Sequence, residues 1–216
     1  MTATREALLD AAERLFLEHG PDKVSLRQIT AEAGANIAAV NYYFGSKDDL
    51  LVEIFQRRMR PINRSRIEAL DELLKRSKRP NSKEILYAFV RPIFDVPFEE
   101  RRVFARLLGR LHLDKTVLFQ KAILMGEEAV GARRYIDAVI AATPHLTKSE
   151  SSRRLDYLLG AITYALAGGI VRPQTEQGPG EPETEANRLV AFIDAGLQAP
   201  ATTPIPSPPR ARRKSR

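Results

Sequence analysis

The sequence predicts an all-α protein of about nine helices, a short three-helix N-terminal domain followed by a larger helical domain. Three observations predict it. Apolar residues recur at spacings of three and four along most of the chain, no stretch alternates as a strand bounded by turns, and helix-start and helix-stop residues fall between the periodic segments. With 216 residues, 44% of them apolar and 28% charged, the chain can bury a core over one or two domains and is not disordered throughout.

The first helix carries Leu8, Ala11, Ala12, Leu15 and Phe16 on one face, with Glu6, Asp10 and Glu13 opposite. His19-Gly20-Pro21 ends it, because glycine suits the position past the last turn and proline cannot continue. Ser25-Leu26-Arg27-Gln28 has the form of a capping box and opens a second short helix that ends at Gly34. Asn36 caps a third, which runs to about Phe44 before Gly45 breaks it. Ser46 caps a fourth, with Asp48 and Asp49 in the first turn, where the helix dipole favours acids.

Beyond Leu50 the periodicity predicts helices over 47–78, 82–93, 97–112, 115–143, 148–172 and 183–198. Pro61 and Pro92 fall inside these patterns and predict kinks or breaks. Thr147-Lys148-Ser149-Glu150 repeats the capping-box form. Residues 200–216 contain five prolines and no apolar period, which predicts a disordered tail. The expected division is 1–47, 48–198 and a tail at 199–216.

Composition excludes several classes of function. With no cysteine there are no disulfides, thiolate nucleophiles or cysteine zinc sites, and three scattered histidines make no metal cluster. No metal or cofactor is expected. The N-terminus lacks an apolar signal region, and the longest uncharged run, Tyr157 to Val171, is 15 residues, short of a membrane span. A cytoplasmic location is expected, with no membrane partner. Phosphate-loop, zinc-protease and nucleophile-elbow motifs are absent, so no catalytic residue is assigned. The net charge of +7 owes five units to Arg210, Arg212, Arg213, Lys214 and Arg216 in the tail.

The three N-terminal helices form a helix-turn-helix pattern. Ile37, Val40 and Phe44 share one face of the third helix and are expected to pack on Leu26, Ile29 and Ala33 and on Leu8, Ala12 and Leu15. The opposite face carries Ala38, Ala39 and Tyr42, flanked by Asn36, Asn41 and Tyr43. Free of bulky charge, it suits the DNA major groove: Asn41 can pair with adenine, and an alanine methyl can rest on a thymine methyl. Tyr42, Tyr43 and Lys47 can reach phosphates, and Arg27 the backbone or a guanine edge. Against this stands the local charge, since residues 1–47 hold five basic and six acidic residues. DNA-binding domains are usually basic.

The run Ser25-Leu26-Arg27-Gln28-Ile29, then Ala33-Gly34 and Ile37 to Leu50 with Tyr42-Tyr43-Phe44-Gly45-Ser46-Lys47 at its centre, resembles the DNA-binding domain of TetR-family transcriptional regulators. The resemblance covers roughly residues 5–55. It implies an all-helical homodimer whose C-terminal domain binds a small molecule that releases a palindromic operator. The segment Asn36 to Tyr42 is similar to a branch that includes fatty-acid-responsive repressors.

In the C-terminal half, Phe104, Leu108, His112, Phe119 and Tyr164 are the candidate contacts for a small, apolar effector. The two last helices are apolar over more than one stripe, which points to a second partner. Leu155, Leu158, Leu159, Ile162, Leu166, Leu189, Phe192 and Ile193 are the expected homodimer interface. A second basic cluster, Arg57 to Arg79, reads as a solvated helix face or a source of long-range attraction for DNA. Two other functions fit an all-helical chain: a dimeric ligand-binding or adaptor protein without operator binding, and an all-helical enzyme.

Overall fold

The computed structural model describes residues 3–114, 128–168 and 180–202. Nine helices are described: α1 (Ala3–His19), α2 (Leu26–Glu32), α3 (Ile37–Tyr43), α4 (Lys47–Arg76), α5 (Ser82–Phe94), α6 (Phe98–Asp114), α7 (Glu128–Ala142), α8 (Lys148–Leu166) and α9 (Pro182–Gln198). No strand occurs among the described residues.

Local signals set the helix starts. The Gln28 amide donates to Ser25 Oγ at 3.3 Å and the Ser25 amide to Gln28 Oε1 at 2.8 Å, so the capping box forms as expected. Asn81 and Glu84 form another that the sequence reading had not assigned. At Thr147 only half of the motif forms. Thr147 Oγ1 accepts from the Glu150 amide, but the Glu150 carboxylate is engaged by Arg154 and Thr202 instead of turning back to the cap. Gly34 and Gly45 take φ of 60° and 87°, the left-handed turns that end α2 and α3.

Neither Pro61 nor Pro92 breaks its helix; α4 runs 30 residues without interruption. An interior proline costs about 3 kcal/mol. Here each is flanked by residues buried on both sides, Met59 and Ile62 around one, Val90 and Ile93 around the other. Packing of the flanks outweighs the lost hydrogen bond.

α1, α2 and α3 pack on one another, and α1 also rests on the start of α4. Leu8, Ala12, Ile29, Val40, Leu50 and Ile54 are fully buried there. α4 then carries the chain into a second layer where it meets α5, α6 and α7, while α9 lies along α5 and α8. Phe55 of α4 stacks on Phe104 of α6, centroids 5.3 Å apart, near the junction of the two regions.

Arg66 is buried within this second layer. Its Nε donates to the Phe89 carbonyl at 2.7 Å and its guanidinium lies 3.8 Å from the Phe89 ring centroid. Burial pushes its pKa down to about 10. Tyr135 closes the group, its hydroxyl donating to the Arg66 carbonyl at 2.5 Å.

Candidate DNA-reading face and effector groove

α3 is seven residues long and is fixed at both ends by its own sequence. Asn36 Oδ1 accepts from the Ala39 amide at 2.9 Å, and Gly45 turns the chain out after Phe44. Val40 is fully buried and anchors the helix from below. Ala38, Asn41 and Tyr42 face solvent, Tyr42 with 83% of its surface exposed. Tyr43 is half-buried and meets Tyr42 edge-on, with centroids 5.0 Å apart. Arg27 is exposed on α2, and Lys47 is half-buried at the start of α4, its Nζ 5.9 Å from the Phe16 ring centroid.

Two expected positions differ. Ala39 is half-buried and packs toward the core, so Ala38 is the alanine that remains open. Ile37 is 39% exposed where a core contact was expected, because it occupies the first helical position, ahead of the buried Val40. Asn36 caps α3 as expected through its side-chain oxygen, and its NH₂ group remains as a donor.

The acidic balance of residues 1–47 is resolved by long-range pairing. Arg57 Nη1 donates to Asp10 at 2.6 Å, Arg58 Nε to Glu13 at 2.6 Å, and Arg14 pairs with Glu32. Asp10 and Glu13 of α1 are thus matched by the arginines of α4. The same pairs correct the reading of the second basic cluster: Arg57 and Arg58 are structural ties and Arg66 is buried, leaving Arg60, Arg64 and 75–79 toward solvent. No sequence period could have revealed contacts spanning 45 and 47 positions.

The candidate effector contacts are not gathered in one place. Phe104 is buried and lines a groove of about 430 Å³ between α1, α4, the end of α5 and the start of α6. Leu108 lies in the core and does not line that groove, and Tyr164 is 49% exposed on α8. Phe119 and the side chain of His112 lie outside the described residues. No group of metal-binding side chains occurs among the described residues.

The candidate interface residues divide by burial. Leu158, Ile162, Leu166, Leu189 and Ile193 are buried within the one chain, and Leu155 and Leu159 are half-buried. α8 uses its leucine stripe against α6, α7 and α9, so these positions are core. What remains outside is aromatic: Tyr157 and Tyr164 on α8, 67% and 49% exposed, and Phe192 on α9, 73% exposed. Among the described residues no helix is long and apolar enough to cross a membrane.

Comparison with known proteins agrees with this architecture. Residues 8–54 match the family described as bacterial regulatory proteins, tetR family, and residues 87–196 match the tetracyclin repressor-like C-terminal domain. The HTH-type transcriptional regulator BetI of Agrobacterium fabrum is 41% identical over 66 residues, 31% of this chain and 32% of that protein. BetI of Brucella canis is 26% identical over 159 residues, 73% of this chain and 75% of its own. The fold is shared with the fatty acid degradation regulator FadR from Bacillus halodurans, at TM-score 0.58 and 16% identity over 92% of this chain and 98% of that one. A TetR-like regulator from Rhodococcus sp. RHA1 follows at TM-score 0.56 and 18% identity, covering 90% of this chain and 95% of its own. Two family domains in their expected order, one over the tyrosine-edged helix and one over the helical body, place this chain in the TetR family of transcriptional regulators.

Proposed function

We propose that the chain is a homodimeric repressor that binds a palindromic operator and is released by a small, apolar molecule. The observation that carries this reading is the reading face itself: Ala38, Asn41 and Tyr42 stand open on a helix capped at one end and turned off at the other. Such a face is stiff, uncharged and narrow enough for a major groove. Asn41 reads a base edge, Ala38 a thymine methyl, Tyr42, Tyr43 and Lys47 hold phosphates, and Arg27 reaches the backbone from α2. Asn36 contributes through its free NH₂ group and Ala39 through close approach of the backbone.

The second copy docks on the exposed aromatics of α8 and α9. Tyr157, Tyr164 and Phe192 leave apolar surface in water that a two-fold partner would cover, and two such reading helices need to stand about 34–36 Å apart to meet successive turns on one side of a duplex. The chain divides into a reading domain at 1–47, an effector and dimer domain at 48–198 and a basic tail at 199–216. A DNA partner places the protein in the cytoplasm.

Selection from random oligonucleotides tests the reading, followed by titration of wild type and Asn41→Ala against the selected site and its single-base variants. The expected result is a palindromic site and a loss of about 1–3 kcal/mol of discrimination at one base pair per half-site in the variant. A protein that enriches no sequence, or an Asn41→Ala variant with unchanged discrimination, would contradict it.

A further inference from the structure

Arg101 is 95% removed from solvent, with 5% of its surface exposed, and its Nε is buried without a hydrogen-bond partner among the described residues. The guanidinium lies 5.1 Å from the Phe94 ring centroid and 5.5 Å from that of Phe98. Burial lowers its pKa, with Glu185 the opposing influence. Burying a guanidinium with an unmet N–H is costly, and such a group persists where something else supplies the acceptor. Arg101 lines the 430 Å³ groove.

The groove's other charges are already matched. Glu13 is held by Arg57 and Arg58, Glu100 by Arg58 at 3.5 Å, and Asp95 by Arg91. That leaves the Nε–H of Arg101, the buried side-chain donor without a partner among the described residues. The rest of the lining, apart from Ser65, is apolar: Ile62, Ile93, Val96 and Phe104, with Pro61 and Pro92. A volume near the low end of small-molecule pockets, one buried donor and apolar walls define an occupant of one chemical class.

We infer that this groove binds a small apolar carboxylate, its head on Arg101 and its body against α4 and α5, and that occupancy loosens the reading domain from the body. The second half rests on the ligand-responsive reading above. Its basis is position. The groove is crossed by the chain of ion pairs from Glu13 of α1 through Arg58 of α4 to Glu100 of α6, beside the pairs of Arg57 with Asp10 and Glu13. A carboxylate entering beside Arg58 competes with Glu13 and Glu100 for the same guanidinium, and the tie on α1 weakens.

The test uses the full-length protein and three probe pairs by calorimetry: benzoate, 1-naphthoate and decanoate, each beside its neutral alcohol. At least one carboxylate should bind ten-fold or more tightly than its alcohol. Arg101→Met should remove that preference and Arg101→Lys restore part of it. Because Arg101→Met could fail to fold, Ser65→Trp, an exposed groove-lining position, serves as the second variant. It should weaken carboxylate and alcohol together while leaving Arg101 in place. In the same samples, affinity for the selected operator should fall at least five-fold at saturating carboxylate. No preference for any carboxylate, or binding unchanged in both Arg101→Met and Ser65→Trp, overturns the site, and binding without loss of operator affinity overturns the loosening. Absence of operator binding by the free protein would instead count against the repressor reading, so the two failures are distinct.

Discussion

Arg58 Nε lies 2.6 Å from Glu13 Oε1, joining α4 to the outer face of α1 in a pair whose side chains are only 18% and 17% exposed. A charge-assisted bond in such a partly dry setting is stronger than a surface ion pair.

This pair is expected to couple the two regions measurably. A double-mutant cycle of Arg58→Met and Glu13→Gln should give an interaction energy of about 1–2 kcal/mol. Each single variant should melt roughly 2–6 °C lower than wild type. A coupling indistinguishable from zero would mean that this pair does not help to hold α1 on α4.

Asn36 and Asn41 are five residues apart and are expected to fail differently. Asn36→Ala removes a cap and should cost about 1 kcal/mol of stability, while Asn36→Ser keeps the acceptor and should melt within about 2 °C of wild type. Neither should alter which base is preferred. Thermal melts and binding to operator variants, run side by side, check this.

On the last two helices exposure decides the outcome. Phe192→Glu places a charge among the exposed aromatics and should shift sedimentation from dimer to monomer with little change in the melting of the protomer. Leu189→Ala, three positions earlier and buried, should instead cost about 2–5 kcal/mol of stability by opening a cavity. If Leu189→Ala dissociated the dimer while stability stayed constant, the leucine stripe would be the interface after all.

Glu150 is expected to make stability fall in acid. Thr202 Oγ1 donates to its carboxylate at 2.8 Å and Arg154 adds an ion pair at 3.0 Å, which together hold its pKa below the usual carboxylate range. With the folded value depressed, the contribution is complete above the unfolded-chain value and is lost as pH falls through the folded one. Glu150→Gln should therefore show a shallower loss of stability than wild type across the acid limb, with the two curves converging at the lowest pH. Denaturant melts at stepped pH measure it.

The reading domain was legible because its signals are local. Ser25, Asn36 and Ser46 cap the helices the sequence assigns them, since a cap and its target amide lie within three residues. The body was legible as helices but less so in its faces. Leu158 and Tyr157 are neighbours in sequence, both compatible with burial, and only the positions of α6, α7 and α9 decide that the leucine goes in and the tyrosine stays out. The continuity of α4 through Pro61 and the pairing of Arg57 with Asp10 likewise depend on tertiary contacts that no periodicity encodes. Arg101 escaped notice for the same reason: nothing in Glu-Glu-Arg-Arg marks one arginine as buried and the next as exposed.

The unbroken course of α4 has a mechanical consequence. At 1.5 Å per residue its 30 residues make a rod of about 45 Å, with the reading helix mounted at one end. Swinging such a rod by about 5° about its far end carries the mounted helix about 4 Å, more than the 3.4 Å between successive base pairs. A turn of a few degrees would thus suffice to put the end of the rod out of step with a duplex.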